Sequence, residues 1–190
     1  DLDKPVAEAV EAAIGVISGL TASLRDVRLP PVDSISLAGE TFAYHQPYWT
    51  RTPEAYTPHA RRAIEKDSRA PLAGYIQSRW QMEELRRAID GVFADFDVVV
   101  LPTRRKMPET IPEYLERDAL DIAIAENTGA FNVYGIPAVS IPCGFSAGGM
   151  PVGLTIAGPR YTEARVLSLA QAFEQATEWH QAVPPAAILR

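Results

Sequence analysis

The sequence offers few side chains that could carry chemistry, and none arrives with its partners. Its one thiol, Cys143, lies in Ile141-Pro142-Cys143-Gly144-Phe145, just past an apolar run. A reactive thiolate there needs a histidine or lysine beside it. The three histidines, His45, His59 and His180, are all distant in sequence. A buried cysteine acting as a small hydrophobe is the plainer reading. Ser140 is flanked by Val139 and Ile141 and lacks the glycines of a nucleophile elbow. It reads as a core serine bonded to backbone. Ser146 precedes Gly148-Gly149, but these glycines lead into another apolar run rather than a helix. A hairpin turn fits that order better than a phosphate loop.

Cationic candidates are similarly spare. Lys4 falls at a helix start, Lys66 at a helix end and Lys106 in the basic run Arg104-Arg105-Lys106. None has the buried setting that would depress a lysine pKa for base catalysis. The basic run could grip an anion, against the commoner case of a solvated loop. Arg61 and Arg62, in the first turns after Pro58, could clamp a carboxylate or amide oxygen. No metal-binding spacing and no cofactor motif occurs, and a single cysteine excludes an intrachain disulfide. The residues alone therefore form no self-sufficient catalytic set, and no cofactor is expected.

The elements that must position these groups follow from composition and periodicity. With 190 residues, 47% apolar and 22% charged, the chain suits a single domain or part of a larger one. A net charge of −6 and a pI near 5.1 argue against a nucleic-acid binder. No apolar run reaches membrane-span length, and no basic-then-apolar leader opens the chain, so a reducing, cytoplasmic setting is expected. The start at Asp1, without an initiator Met, fits a piece of a longer chain.

Val6, Val10, Ala13, Ile14 and Ile17 form one stripe of a helix, with Asp3 as N-cap, Pro5 in the first turn and Gly19 at its end. Alternation over 25–29 predicts a short strand. A helix is expected over 33–48, capped by Asp33 or Ser34, then an irregular connection from Gln46 to Pro58. Thr57-Pro58 starts a helix to about Lys66. Leu72, Ile76, Trp80, Leu85, Ile89 and Val92 keep helical spacing for over five turns of the longest helix. Buried strands are expected over 96–102, 137–142 and 152–158, the last two joined as a hairpin by a glycine-rich turn. A long connection covers 103–118, a helix 118–130, and a final helix follows Thr162. Residues 179–190 form a surface tail. The fold class is α/β, a mixed β-sheet flanked by helices.

The segment Asn132-Val133-Tyr134-Gly135-Ile136-Pro137-Ala138-Val139-Ser140-Ile141-Pro142-Cys143-Gly144 closely resembles the amidase signature family, which shows Asn-x-x-Gly-x-Pro-Ala-x-Ser-x-Pro-x-Gly here. Gly149 to Gly158 is similar to that family's Gly-x-Pro-x-Gly-x-Gln-x-x-Gly strand, with Thr155 where glutamine is usual. Asp97 to Thr103 resembles its Asp-x-x-x-x-Pro-Thr strand, and 162–180 its last helix. The resemblance runs the whole chain in order and implies the C-terminal part of a large α/β sandwich. Members hydrolyse amides or move ammonia between them, using a serine nucleophile, a bridging serine and a lysine base. No Gly-Gly-Ser-Ser-Gly-Gly-like run and no matching lysine occurs in this chain, so no catalytic residue carries over. The implied role is sheet and pocket wall, inactive alone. The implied partners are the absent N-terminal part or a second copy, with a small amide as substrate once that part is present. Arg61-Arg62 matches a basic pair that some tRNA-dependent amidotransferases turn toward substrate. Arg104-Arg105-Lys106-Met107 departs from the family's neutral, apolar loop. Two other readings compete: a non-enzymatic α/β binding module, and a cysteine hydrolase built on Cys143.

Overall fold

A computed structural model describes residues 2–33, 35–116 and 127–183. Helices flank a three-stranded sheet, the α/β architecture expected. The strands are β1 (Val99–Pro102), β2 (Ala138–Phe145) and β3 (Pro151–Ala157), in spatial order β1-β3-β2. Both pairings are antiparallel, so no parallel pair that would make the sheet mixed occurs among the described residues. β2 and β3 form the expected hairpin, but β2 runs on to Phe145, with a register shift between Pro142 and Gly144. That bulge absorbs Cys143. Pro142 and Pro102 are tolerated because β2 and β1 are both edge strands of the sheet that the described residues form.

One sheet face is closed by α1 (Lys4–Leu20) and α7 (Glu163–Ala176). The α1 stripe of Val6, Val10, Ala13 and Ile17 packs with Val166, Ala170 and Phe173 over Ile141, Cys143, Val152, Leu154 and Ile156. Full burial of each such aliphatic side chain stabilises by about 1.5–3 kcal/mol. The other face is covered at one end by α4 (Leu72–Val92) and α6 (Thr128–Tyr134). There Leu85, Ile89, Phe131, Tyr134 and Ile136 enclose Val99 and Ala157. α6 ends at Gly135, whose φ of +67° is left-handed and favours glycine. The Arg86 guanidinium, on α4, closes that corner by donating to the Val133 carbonyl at 3.1 Å.

Several local expectations change. Asp3 makes no side-chain cap; its carboxylate accepts from the Met107 N–H at 2.9 Å, fixing the 103–108 loop to α1. Gly19 lies inside α1, and the helix ends one residue later. Residues 25–29 form no strand: their backbone joins no ladder among the described residues, and Arg25 instead donates to the Asp95 carbonyl and lies over the Phe96 ring. Leu29, Val32 and Ile35 instead pack on the α4–α6 core, and the Tyr134 hydroxyl donates to the Pro30 carbonyl.

The second helix is displaced from 33–48 to α2 (Ala38–Arg51). Asp33 does not cap it: its carbonyl accepts from Gln81, while the Ser36 N–H donates to the Ser78 hydroxyl. Ser34 lies outside the described residues. α2 continues through Pro47, since Ala43 is exposed and its carbonyl can turn to water. α3 (Pro58–Asp67) is capped as expected, with the Thr57 hydroxyl accepting from the Ala60 N–H. Thr162 does not cap α7 in that way; its hydroxyl donates to the Pro159 carbonyl at 2.6 Å.

Within the expected loop of 103–118, a short helix α5 (Ile111–Glu116) forms. Thr110 and Glu113 make a reciprocal capping box there. Most of the helix expected over 118–130 lies outside the described residues; the described helix, α6, starts at Thr128. The α4 stripe divides. Leu85 and Ile89 are buried, but Leu72 is 73% and Trp80 67% exposed. The N-terminal turns of α4 carry their apolar face beyond the sheet.

Candidate functional site

Strand alternation places Thr103, Ser140, Gly153 and Thr155 on the same sheet face as Val99 and Ala157, toward the end that α4 and α6 leave open. Ser140 lies directly across from Thr155, and Pro142 from Gly153. Thr103 follows β1 and donates its N–H to the Gly153 carbonyl at 2.8 Å, extending the ladder by one bond. Its hydroxyl is 2.7 Å from that of Ser140 and 2.9 Å from that of Thr155. Gly153 makes this meeting possible. A Cβ there would lie 2.8 Å from the Thr103 hydroxyl oxygen and 2.9 Å from that of Ser140. Thr155 is only 2% exposed, whereas Ser140 is open to solvent. Ser140 is therefore neither buried nor bonded to backbone, contrary to the sequence reading. The sequence did place hydroxyls in both strands. Their convergence depends on register, which residue types alone do not show.

Thr103 and Ser140 form part of the wall of a cavity of about 360 Å³ between the 103–108 loop and the hairpin, with Thr155 buried behind them. Arg104, Lys106, Met107, Pro108, Pro142 and Pro151 complete much of its lining. Arg104 and Lys106 are exposed and form no ion pair among the described residues. The surroundings combine hydroxyl donors, two cations and short apolar walls, which suits a small polar ligand with an apolar stem.

Cys143 lies on the opposite face, 2% exposed, against α1 and α7. Burial pushes its thiol up to about 11. A cavity beside it is lined by Ala12, Ala13, Val16, Phe173 and Trp179 among others, and by no histidine. His45 is instead 3.1 Å from the Tyr56 hydroxyl, while His59 and His180 are exposed on α3 and on a turn after α7. The structure thus withholds both the thiolate and the base that a cysteine hydrolase requires.

Ser146 stands in a Gly144-Phe145-Ser146-Ala147-Gly148 spacing that the sequence reading missed. The turn joins two strands, not a strand and a helix. The Ser146 hydroxyl accepts from the Met150 N–H at 3.2 Å, and Gly149 has a φ of +78°. It closes the hairpin, as expected. Lys4 pairs with Glu8 at 3.7 Å on the surface, and Lys66 is exposed at the end of α3. Arg61 donates through Nε to the Tyr56 carbonyl at 3.3 Å, while Arg62 is exposed. Neither arginine lines the hydroxyl cavity.

Comparison with known proteins agrees with this framework. The amidase family profile matches residues 1–167. A glutamyl-tRNA(Gln) amidotransferase subunit from Synechococcus elongatus is 30% identical over 215 residues, covering 96% of this chain and 44% of that protein. An amidase from Pseudomonas putida is 29% identical over 195 residues, covering 96% of this chain and 42% of its own length. Among solved structures, 6-aminohexanoate cyclic dimer hydrolase superposes with a TM-score of 0.77 at 20% identity, over 96% of this chain and 43% of that one. A bacterial aryl acylamidase of the amidase signature family gives 0.72 at 22% identity, over 95% and 42%. The chain thus spans less than half the length of these relatives. The profile match and the curated relatives, together with the shared fold, make this chain a member of the amidase family, the amidase signature enzymes.

Proposed function

We propose that this chain is the C-terminal portion of an amidase-family enzyme that hydrolyses a carboxylic amide or transfers its nitrogen. In this reading a segment outside the chain carries the serine nucleophile, the bridging serine and the lysine base. Serine attacks the amide carbonyl with the lysine's help, an acyl-enzyme forms, and water or ammonia releases it. Backbone N–H groups of the outer segment's glycine loop hold the oxyanion. The present chain contributes strands, the long helix and pocket wall, and has no turnover of its own. Arg61 and Arg62 are proposed to face substrate in the assembled enzyme.

One observation carries this reading. Ala138 and Ser140 are exposed on a sheet face whose other end is sealed by α4 and α6. A sheet face of small residues left open in this way has room for another layer, with a substrate groove kept between the two. Exposed apolar groups elsewhere support it: Leu72, Ile76 and Trp80 on α4, and Tyr44 and Tyr48 on α2. A self-contained binding module would cover these residues.

The test has two arms. The purified chain is assayed on a panel of aliphatic and aromatic amides, with no turnover expected. The genomic DNA preceding the Asp1 codon is then sequenced and the longer product expressed, with amide hydrolysis expected once a lysine and a glycine–serine loop are included. Turnover by the present chain alone, abolished by Cys143→Ser or Ser140→Ala, would refute the proposal.

A further inference from the structure

We infer that the groove between the 103–108 loop and the β2–β3 hairpin is a carboxylate-binding site, with the Ser140 hydroxyl as its donor and Arg104 and Lys106 as its cations. Three hydroxyls, on Thr103, Ser140 and Thr155, share two contacts of 2.7 and 2.9 Å centred on Thr103. Each oxygen has one proton to donate. Two protons fill the two contacts and one is left over. Thr155 is 2% exposed and has no other side-chain partner among the described residues, so an outward Thr155 proton would be buried and unsatisfied. That arrangement costs about 1–3 kcal/mol. A leftover proton on half-buried Thr103 meets the same objection in milder form. The remaining arrangement runs Thr155 to Thr103 to Ser140 and leaves the spare proton on the one hydroxyl that solvent reaches. Each donation polarises the next, so the Ser140 O–H is a strengthened donor that calls for an acceptor.

The acceptor's charge follows from what borders the same groove. Arg104 and Lys106 line it without ion-pair partners among the described residues, in a chain whose net charge is −6. The Asp3 carboxylate, which anchors the neighbouring loop, is engaged by the Met107 N–H. Met107, Pro108, Pro142 and Pro151 supply short apolar walls. A planar oxyanion on an aliphatic stem fits this combination better than a compact, fully hydrated phosphate does. The inference rests on the amidase reading only for the ligand's role, in which the carboxylate belongs to the amide substrate. Binding itself needs no catalytic segment.

The test uses the 190-residue chain and a shape-matched pair of probes, pentanoate and pentanamide, followed by NMR titration at low salt. Pentanoate is expected to bind about ten-fold more tightly, the scale of one charge-assisted hydrogen bond. Shift changes should centre on residues 103–108 and 140–153. The R104Q/K106Q double variant alters only exposed side chains, so it stays folded. It should abolish the preference, as should raising salt to about 0.15 M in large part. Ser140→Ala should weaken pentanoate several-fold. Equal affinity for the two probes, a preference that survives in R104Q/K106Q, or phosphate binding as tightly as pentanoate would each overturn the assignment. If the longer product lacks amidase activity while pentanoate binds here, the groove stands and the amidase reading falls. If that product is active and pentanoate does not bind, the amidase reading stands and the groove assignment falls.

Discussion

Replacing Gly153 by alanine tests the hydroxyl trio most directly. Gly153 has no positive φ, so the backbone accepts alanine, and the whole effect comes from space. The added Cβ would sit 2.8 Å from the Thr103 oxygen, 2.9 Å from the Ser140 oxygen and 3.1 Å from the Thr103 Cβ. Such overpacking costs roughly 1–3 kcal/mol. Pushing Thr103 aside also strands the buried Thr155 hydroxyl, at about 1–3 kcal/mol. The reduced freedom of the unfolded chain returns about 0.4–1 kcal/mol. The net loss is about 2–3 kcal/mol, since some of the clash relaxes into the open groove. Urea unfolding followed by far-UV circular dichroism should show the midpoint falling with the slope m unchanged. A thermal scan should fall by roughly 2–4 °C per kcal/mol. Adding Ser140→Ala removes one of the clashing oxygens and should recover part of the loss. If Gly153→Ala is neutral or stabilising, or if the double variant recovers nothing, the trio is not packed as described.

Gly15, inside α1, provides the opposite case: nothing lies within 4 Å of an added Cβ, so Gly15→Ala should stabilise by about 1 kcal/mol in the same urea assay. Ile89 is 0% exposed between α4 and the sheet, and Ile89→Ala should cost about 2–5 kcal/mol by denaturant unfolding. Cys143 should resist iodoacetamide at neutral pH until urea unfolds the chain, because a thiol raised to about 11 is almost wholly protonated there. The pH dependence has a definite sign. Burial raises the folded thiol above its ordinary value of 9.0, so its contribution to stability is whole below that pH. It falls as pH climbs from about 9 through about 11, which a series of urea midpoints against Cys143→Ala would read out.

Elements defined by local periodicity were legible in the residues. The α1 stripe, the Thr57 cap and the hairpin carry their information within a few positions. What failed depended on neighbours. The segment 25–29 alternates like a strand but joins no ladder among the described residues, and Leu29 instead covers a helix. Leu72 and Trp80 have helical spacing, yet spacing cannot tell whether anything lies opposite. The start of α2 was hidden because Asp33 and Ser36 spend their backbone groups on α4 side chains. At the candidate site, Ser140 was noticed and assigned to the wrong environment. Its neighbours in sequence are apolar, but its neighbours in space are Thr103 and Thr155. Only the pairing of β3 with both other strands brings these three together. The cations of the groove were visible as a run. The donor facing them was not.

The order β1-β3-β2 has a consequence for synthesis. The central strand is the last of the three to leave the ribosome, so Val99–Pro102 waits for its β3 partner while everything up to Pro151 is made. At about 5–20 residues per second that wait lasts several seconds. β2 meets its partner across a short turn almost at once. Within this three-stranded sheet the hairpin is therefore the first pairing to form, and β1 must be recruited to it from a distance. Any slowing of translation between 103 and 150 lengthens the interval in which an apolar edge is available to chaperones or to other nascent chains.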